Sequence, residues 1–259
     1  MGEAIIGALL EKKLCKAADI SVSDISKPRR DYLKKKYGIA VMADNVEAVK
    51  SKNVIVLAVK PQNLNEVTAE LKGLLKPDQL ILSIAAGVKI STIRERTGHH
   101  KVVRSMPNTP AQIGLGISGW TATKEVAEEQ KEWAKTILRA MGEEIYFDNE
   151  DDLDMVTAVS GSGPAYFYLF AESLIKGAVD LGLYQKDAEQ LVLQTMLGAA
   201  KLMSNSKKPP AELRRNVTSK GGTTERAIEV FEKNDLAGIV SRAVKAACQR
   251  AKELGEAKS

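Results

Sequence analysis

The sequence predicts a doubly wound, parallel α/β sheet domain over residues 1–148, followed by an all-helical domain over residues 149–259. Three observations carry this. Up to Phe147, short apolar runs alternate with segments of helical period, and the connections are short. Val54-Ile55-Val56-Leu57-Ala58-Val59 is apolar without alternation, the pattern of a parallel strand buried on both faces. Past the acidic stretch Asp148-Asn149-Glu150-Asp151-Asp152, strand signals cease.

Gly2 to Leu14 reads as a helix with Ile5, Ile6, Leu9 and Leu10 on one face. Ile20 to Ser23 is a short strand ending at Asp24, and Pro28 to Tyr37 is a polar helix closed by Gly38. Strands are expected at Ile39–Met42, Val54–Val59, Leu80–Ile84 and Lys101–Ser105. Helices are expected at Asn45–Ser51, Leu64–Leu75 and Ile90–Thr97 between them. Val126 to Met141 is an amphipathic helix, and Ile145-Tyr146-Phe147 an edge strand. The second domain reads as helices at 152–159, 164–181, 186–203, 210–217, 224–232 and 236–254. The helix from Pro164 is apolar nearly all round. About 110 residues cannot cover such a helix, so a partner subunit is expected.

Composition narrows the function. Hydrophobic residues at 44% and charged residues at 27% fit a soluble globular protein. The net charge of +5 comes from cations interspersed with acids. That excludes a nucleic-acid footprint and leaves anionic small ligands open. No apolar run approaches a membrane span, and Glu3 with Glu11-Lys12-Lys13 leaves no secretory leader in the opening residues. Cys15 and Cys248 lie far apart without metal spacing, as reduced packing residues of a cytoplasmic protein. His99-His100 has no partner at metal spacing. No Ser–His–acid set, carboxylate pair or Walker loop is present, so an enzyme built on this chain must lean on a cofactor.

Candidate chemistry collects at strand ends and helix heads. Val217-Thr218-Ser219-Lys220-Gly221-Gly222-Thr223-Thr224-Glu225 is a hydroxyl-rich, Gly-Gly loop running into a helix. Its free backbone N–H groups, with Glu225 in the first turn, suit a carboxylate ligand. Ser160-Gly161-Ser162-Gly163-Pro164 makes a second small-residue helix head, or else a tight helix–helix contact. After the second strand position, Ser26 and Lys27 suit the 2′-phosphate of NADP, whereas Asp24 suits the ribose of NAD; the two readings conflict. Lys60-Pro61 ends a strand and frees main-chain groups for a cofactor. Met106-Pro107-Asn108-Thr109-Pro110 is a stiff turn suited to lie beside a nicotinamide ring.

Four segments in this order, Val59-Lys60-Pro61-Gln62, Met106 to Pro110, Ser160 to Tyr166 and Ser219 to Thr224, resemble pyrroline-5-carboxylate reductase over essentially the whole chain. The resemblance implies a Rossmann domain, a helical dimerisation domain and an active site at the subunit interface. It implies hydride transfer from NADPH, or NADH, to the C=N carbon of 1-pyrroline-5-carboxylate, giving L-proline. By the same resemblance the substrate is held by Ser219, Gly221, Gly222, Thr223, Ser162 and Gly163, with the Thr224 hydroxyl at the ring nitrogen. Cofactor contacts fall on Asn45, Ala58, Val59, Lys60, Pro61, Ser26, Lys27 and Asn108, and no metal is implied. The expected assembly is a homodimer, with a ring of dimers as an alternative. The family pattern has Pro where Lys220 stands. It also opens with a strand and Gly-rich turn, about a dozen residues, ahead of the Met-Gly-Glu found here at Met1, so a start codon assigned too late is expected. Two other readings stand beside this one: a helical dimer that does not hold a dinucleotide, and a reductase of another cyclic imine.

Overall fold

A helix, α1 (Gly2–Glu11), begins the chain, and a 3-10 turn leads from it into β1 (Ser21–Ser23). The computed structural model describes residues 1–256. Then follow α2 (Lys27–Tyr37), β2 (Ala40–Met42), α3 (Asn45–Val49), β3 (Val54–Leu57), α4 (Leu64–Glu70), β4 (Leu80–Ser83), α5 (Ile90–Thr97) and β5 (Val102–Met106). β6 (Gly116–Ala122), α6 (Glu128–Ala140) and β7 (Gly142–Tyr146) complete the strand-bearing part. After it the chain is helical: α7 (Asp152–Val156), a π-turn over Thr157–Gly161, α8 (Gly163–Asp180), α9 (Gln185–Ser206), α10 (Pro210–Asn216), α11 (Thr223–Lys233) and α12 (Leu236–Glu256).

The core follows from strand alternation. Leu80 and Leu82 of β4 and Val103 of β5 face α1 and α6, where they pack with Ile5, Trp120, Ala134 and Leu138. Ile81 and Val102 face the opposite way, onto Leu64 and Leu71 of α4 and Ile93 of α5. Side chains one residue apart point to opposite faces, so a sheet helix-covered on both sides shows unbroken apolar strands. β4 is buried at every position.

Two features differ from the expected single parallel sheet. β6 was not expected. Gly116, Ser118 and Gly119 dilute its strand propensity, and it runs antiparallel to β5 and parallel to β7. The strands also form two sheets, a β1-β2 pair and a five-stranded β3-β4-β5-β6-β7 sheet. Among the described residues no strand lies between β1 and β3. Residues of both line one cavity of about 960 Å³. β3, which borders that cavity, is buried only at alternate positions.

The chain divides into two compact units: Met1–Pro164 together with the chain from Ala246 onward, and Ala165–Lys245. The acidic stretch near residue 148 is therefore not where packing changes. Leu153 and Ala158, beyond it, are wholly buried, and α7 packs on β5 and β6. In the second unit Phe167, Tyr168, Leu169, Leu193 and Leu197 are exposed on α8 and α9, so the all-round apolar face of α8 is uncovered within one chain.

α1 is tied to α2 through Glu3. Its carboxylate accepts from Arg29 Nη2 at 2.6 Å, Lys36 Nζ at 2.9 Å and the hydroxyls of Tyr32 and Tyr37 at 3.0 Å. Lys36 foremost, then Arg29 and the two tyrosines, outweigh burial and lower its pKa from 4.5 to about 2. A lowered carboxylate pKa adds stability that is present above the ordinary value and lost as pH falls through the lowered one. Glu3→Gln is expected to lower Tm at pH 7, with the gap to wild type closing between pH 4.5 and about 2. A gap of constant size across that window would contradict the tie.

Candidate active site

The head of α1, the ends of β1 and β3, and α3 converge on the 960 Å³ cavity, whose wall includes Met1, Gly2, Glu3, Ser23, Asp24, Arg29, Asn45, Ala58 and Val59. A Cβ on Gly2 would lie 3.3 Å from Ala58 Cβ, so the helix head closes tightly on the end of β3. First-turn N–H groups of α1 have no acceptor within the helical ladder. Asn45 bridges two elements: its Oδ1 accepts from Ser23 Oγ at 2.5 Å and its Nδ2 donates to Glu70 Oε2 at 2.8 Å. Next to this cavity, Ser26 caps α2 by accepting from Arg29 N, and Lys27 pairs with Asp31 at 2.8 Å. Asp24 turns toward its own chain, with Oδ1 accepting from Ser26 N at 2.8 Å.

Of the cofactor residues read from sequence, Asn45, Ala58 and Val59 share this cavity; Lys60, Pro61, Ser26, Lys27 and Asn108 are not in its wall. Lys60 and Pro61 continue from the end of β3 into a 3-10 turn. The Asn108 Oδ1 accepts from Ile117 N at 3.0 Å, which fixes the start of β6. That structural role was hidden because β6 itself was.

Two of the sequence motifs meet at the end of β5. The π-turn closes with Ser162 N donating to Thr157 O at 2.8 Å, and a Cβ on Gly161 would lie 2.5 Å from Met106 Cε. Gly161 therefore packs directly against the Met106 side chain. Ser162 and Gly163 lead into α8, and the buried hydroxyls of Ser105 and Ser160 have no hydrogen-bond partner among the described residues. π-turns inside helices recur at functional sites because they reset the helical register.

Beneath this junction lies a charge cluster that the sequence did not single out. Arg104, on β5 with its side chain 5% exposed, meets Glu150 Oε1 at 2.9 Å and Asp154 Oδ1 at 3.7 Å. Glu150 Oε1 also accepts from Ile90 N, the first amide of α5, at 2.8 Å. One guanidinium thus joins β5, α5 and α7 below the π-turn. Elsewhere in the unit, His99 Nε2 lies 2.7 Å from Gln79 O, and burial pushes its pKa down.

Ser219, Gly221, Gly222, Thr223 and Thr224 belong to the other compact unit. They form the loop and first turn of α11, with Gly222 as N-cap. The Gly221 amide donates to Glu225 Oε2 at 2.7 Å, and the Gly222 amide to Ser219 O at 3.0 Å. Of the three amides assigned to the substrate carboxylate from sequence, those of Gly221 and Gly222 are therefore engaged, by α11 and by the loop, and that of Thr223 is not. The first-turn amides of Thr223, Thr224 and Glu225 precede the helical hydrogen-bond ladder, whose first member is Arg226 N to Gly222 O.

Residues 150–254 match the family described as pyrroline-5-carboxylate reductase dimerisation, and residues 1–87 match the one described as NADP oxidoreductase, coenzyme F420-dependent. The chain is 44% identical over 257 residues to the pyrroline-5-carboxylate reductase of Pseudomonas aeruginosa, covering 99% of this chain and 94% of the relative. The chain belongs to the pyrroline-5-carboxylate reductase family. As a member it is an oxidoreductase, and the family relationship runs widely: the Synechocystis enzyme is 41% identical, covering 99% of this chain and 95% of that one. Solved family structures superpose closely. The pyrroline-5-carboxylate reductase of Coxiella burnetii gives a TM-score of 0.92 at 38% identity, covering 98% of this chain and 94% of that one. The Plasmodium falciparum pyrroline carboxylate reductase with NADP bound gives 0.88 at 34%, with the same shares covered.

Arg104→Ala would leave the buried Asp154 and the partly exposed Glu150 without their cation, and a loss of about 3 kcal/mol in urea denaturation is expected. A loss under about 1 kcal/mol would show the cluster to be energetically idle.

Proposed function

We propose that the chain reduces 1-pyrroline-5-carboxylate to L-proline with NADPH. The observation that carries the proposal is the head of α11, where three first-turn amides stand beside a threonine hydroxyl that makes no hydrogen bond among the described residues. A carboxylate is the ligand such a head favours, since donors and helix dipole act together. In this reading the amides of Thr223, Thr224 and Glu225 hold the substrate carboxylate, and the Ser219 and Thr223 hydroxyls add to them. Thr224 Oγ1 donates to the ring nitrogen, holding the C=N bond polarised and supplying the proton that the product amine needs. A C=N carbon polarised by that hydrogen bond is electrophilic enough that orientation supplies most of the acceleration and no strong acid is required.

The residues present suit a dinucleotide with a 2′-phosphate. The α1 head takes the pyrophosphate, and the Ser26 hydroxyl with the Lys27 ammonium takes the phosphomonoester. Asn45 sits at the ribose, while Ala58, Val59, Lys60 and Pro61 line the nicotinamide end. Asp24 is already committed to the Ser26 amide, which favours NADPH over NADH. When bound, the dinucleotide supplies the hydride; the chain's own groups bind, orient and protonate. Ser162 and Gly163, on the turn packed against Met106, serve the same end of the site.

The functional unit is a homodimer. Its support is the dimerisation family match and the exposed apolar faces of α8 and α9, since a patch of that kind is characteristic of an interface. The two free thiols, Cys15 and Cys248, suit a cytoplasmic setting, and among the described residues no helix is long and apolar enough to cross a membrane.

Thr224→Ala is expected to lower kcat by about 10²-fold, the scale of one proton-transfer group, without dissociating the dimer. Unchanged kcat would remove Thr224 from the chemistry. The split sheet favours one competing reading, a dimer that does not hold the dinucleotide. Titration with NADPH, followed by nucleotide fluorescence, separates the two: saturable binding supports the reductase, and its absence supports the other.

A further inference from the structure

The Gly221–Glu225 hydrogen bond reaches one residue further than a helix cap requires. In a capping box the carboxylate three residues into the helix takes the N-cap amide. Here the N-cap is Gly222, and its amide already donates to Ser219 O, closing a turn within the loop. Glu225 instead crosses that turn and takes the Gly221 amide at 2.7 Å. The other end of the loop is held as well, since Thr218 Oγ1 donates to Arg214 O at 2.6 Å, on the last turn of α10. Between these two anchors Gly221 adopts φ +74, a left-handed conformation that other residues seldom adopt. Gly222 packs so closely on Ser219 that a Cβ there would lie 2.6 Å from the Ser219 hydroxyl oxygen.

A loop with two adjacent glycines loses much conformational freedom when it is ordered. If that loss were deferred until the substrate arrived, it would weaken binding; ordering in advance removes it. We infer that Glu225 is a positioning residue for the substrate carboxylate: its bond to the Gly221 amide latches the Ser219–Gly222 turn onto α11 and reserves the amides of Thr223, Thr224 and Glu225 for the ligand. Glu225 itself does not touch the reacting atoms. This inference rests on the assignment of the α11 head to the substrate carboxylate.

Two substitutions separate the latch from the negative charge. Glu225→Ala removes the acceptor, whereas Glu225→Gln keeps an oxygen able to accept from Gly221 and removes only the charge. Hydrogen–deuterium exchange of the peptide spanning residues 217–226 reads the latch directly, with or without turnover. Faster exchange is expected in Glu225→Ala and wild-type exchange in Glu225→Gln. In NADPH-dependent assays with 1-pyrroline-5-carboxylate, Glu225→Ala is expected to raise KM for the imine by about tenfold with kcat changed less than about threefold, and Glu225→Gln to restore KM. Unaltered exchange in Glu225→Ala overturns the latch. Altered exchange with unaltered KM, or a Gln variant as impaired as the Ala variant, overturns the positioning role. Absence of turnover by the wild type, with the exchange pattern as expected, would overturn the substrate assignment and the positioning role with it, while leaving the latch standing as a structural bond.

Discussion

A backbone N–H must find an acceptor, and the first turn of a helix cannot supply one from its own ladder. The site in this protein is organised around that constraint. Where chain geometry satisfies those amides internally, as Glu225 and Ser219 do for Gly221 and Gly222, the loop becomes rigid. Where it leaves them outside the ladder, at the heads of α1 and α11, the proposed reading makes them donors for anions. The proposed ligands, a dinucleotide and a cyclic imino acid, are both anions. Helix placement therefore does much of the work that charged side chains do elsewhere, which accords with a net charge of only +5.

The sheet sets where the α1 head and the strand ends lie. β4 is buried on both faces, and α4 and α5 pack on one side while α1 and α6 pack on the other. Arg104 extends the arrangement beyond the apolar core, linking β5 to α5 and α7 and supporting the π-turn that carries Ser160 to Gly163. A buried cation with two acids gains little in net energy over a well-packed apolar cluster, but it is far costlier to break than to form. Its effect is to fix one register for three elements at the junction where the Met106-Pro107 turn meets the π-turn.

Much of this was legible in the sequence. The unbroken apolar run at Val54, the Gly38 helix stop and the change at residue 148 to helix-only periodicity all act locally, through backbone preference and burial pattern. The loop ahead of α11 was legible for the same reason, whereas the capping of α2 by Ser26 emerged from the structure. β6 was not, because its glycines and serine are tolerated only by pairing with β5 and β7. The break between β1 and β3 and the cavity lined by residues of both are matters of three-dimensional packing.

By itself, then, the sequence determined which segments are strands or helices in most of the chain, which helix heads are chemically exposed, and which family the four ordered motifs point to. Those properties are set by neighbours a few residues apart. Only the tertiary structure decided that α7 and the π-turn pack with the sheet unit rather than with the helices that follow, that Arg104 is the joint between them, and that Asn108 holds a strand. It also decided how the amides of the α11 loop are shared out. Each of these depends on partners brought together by folding, for which local periodicity carries no signal.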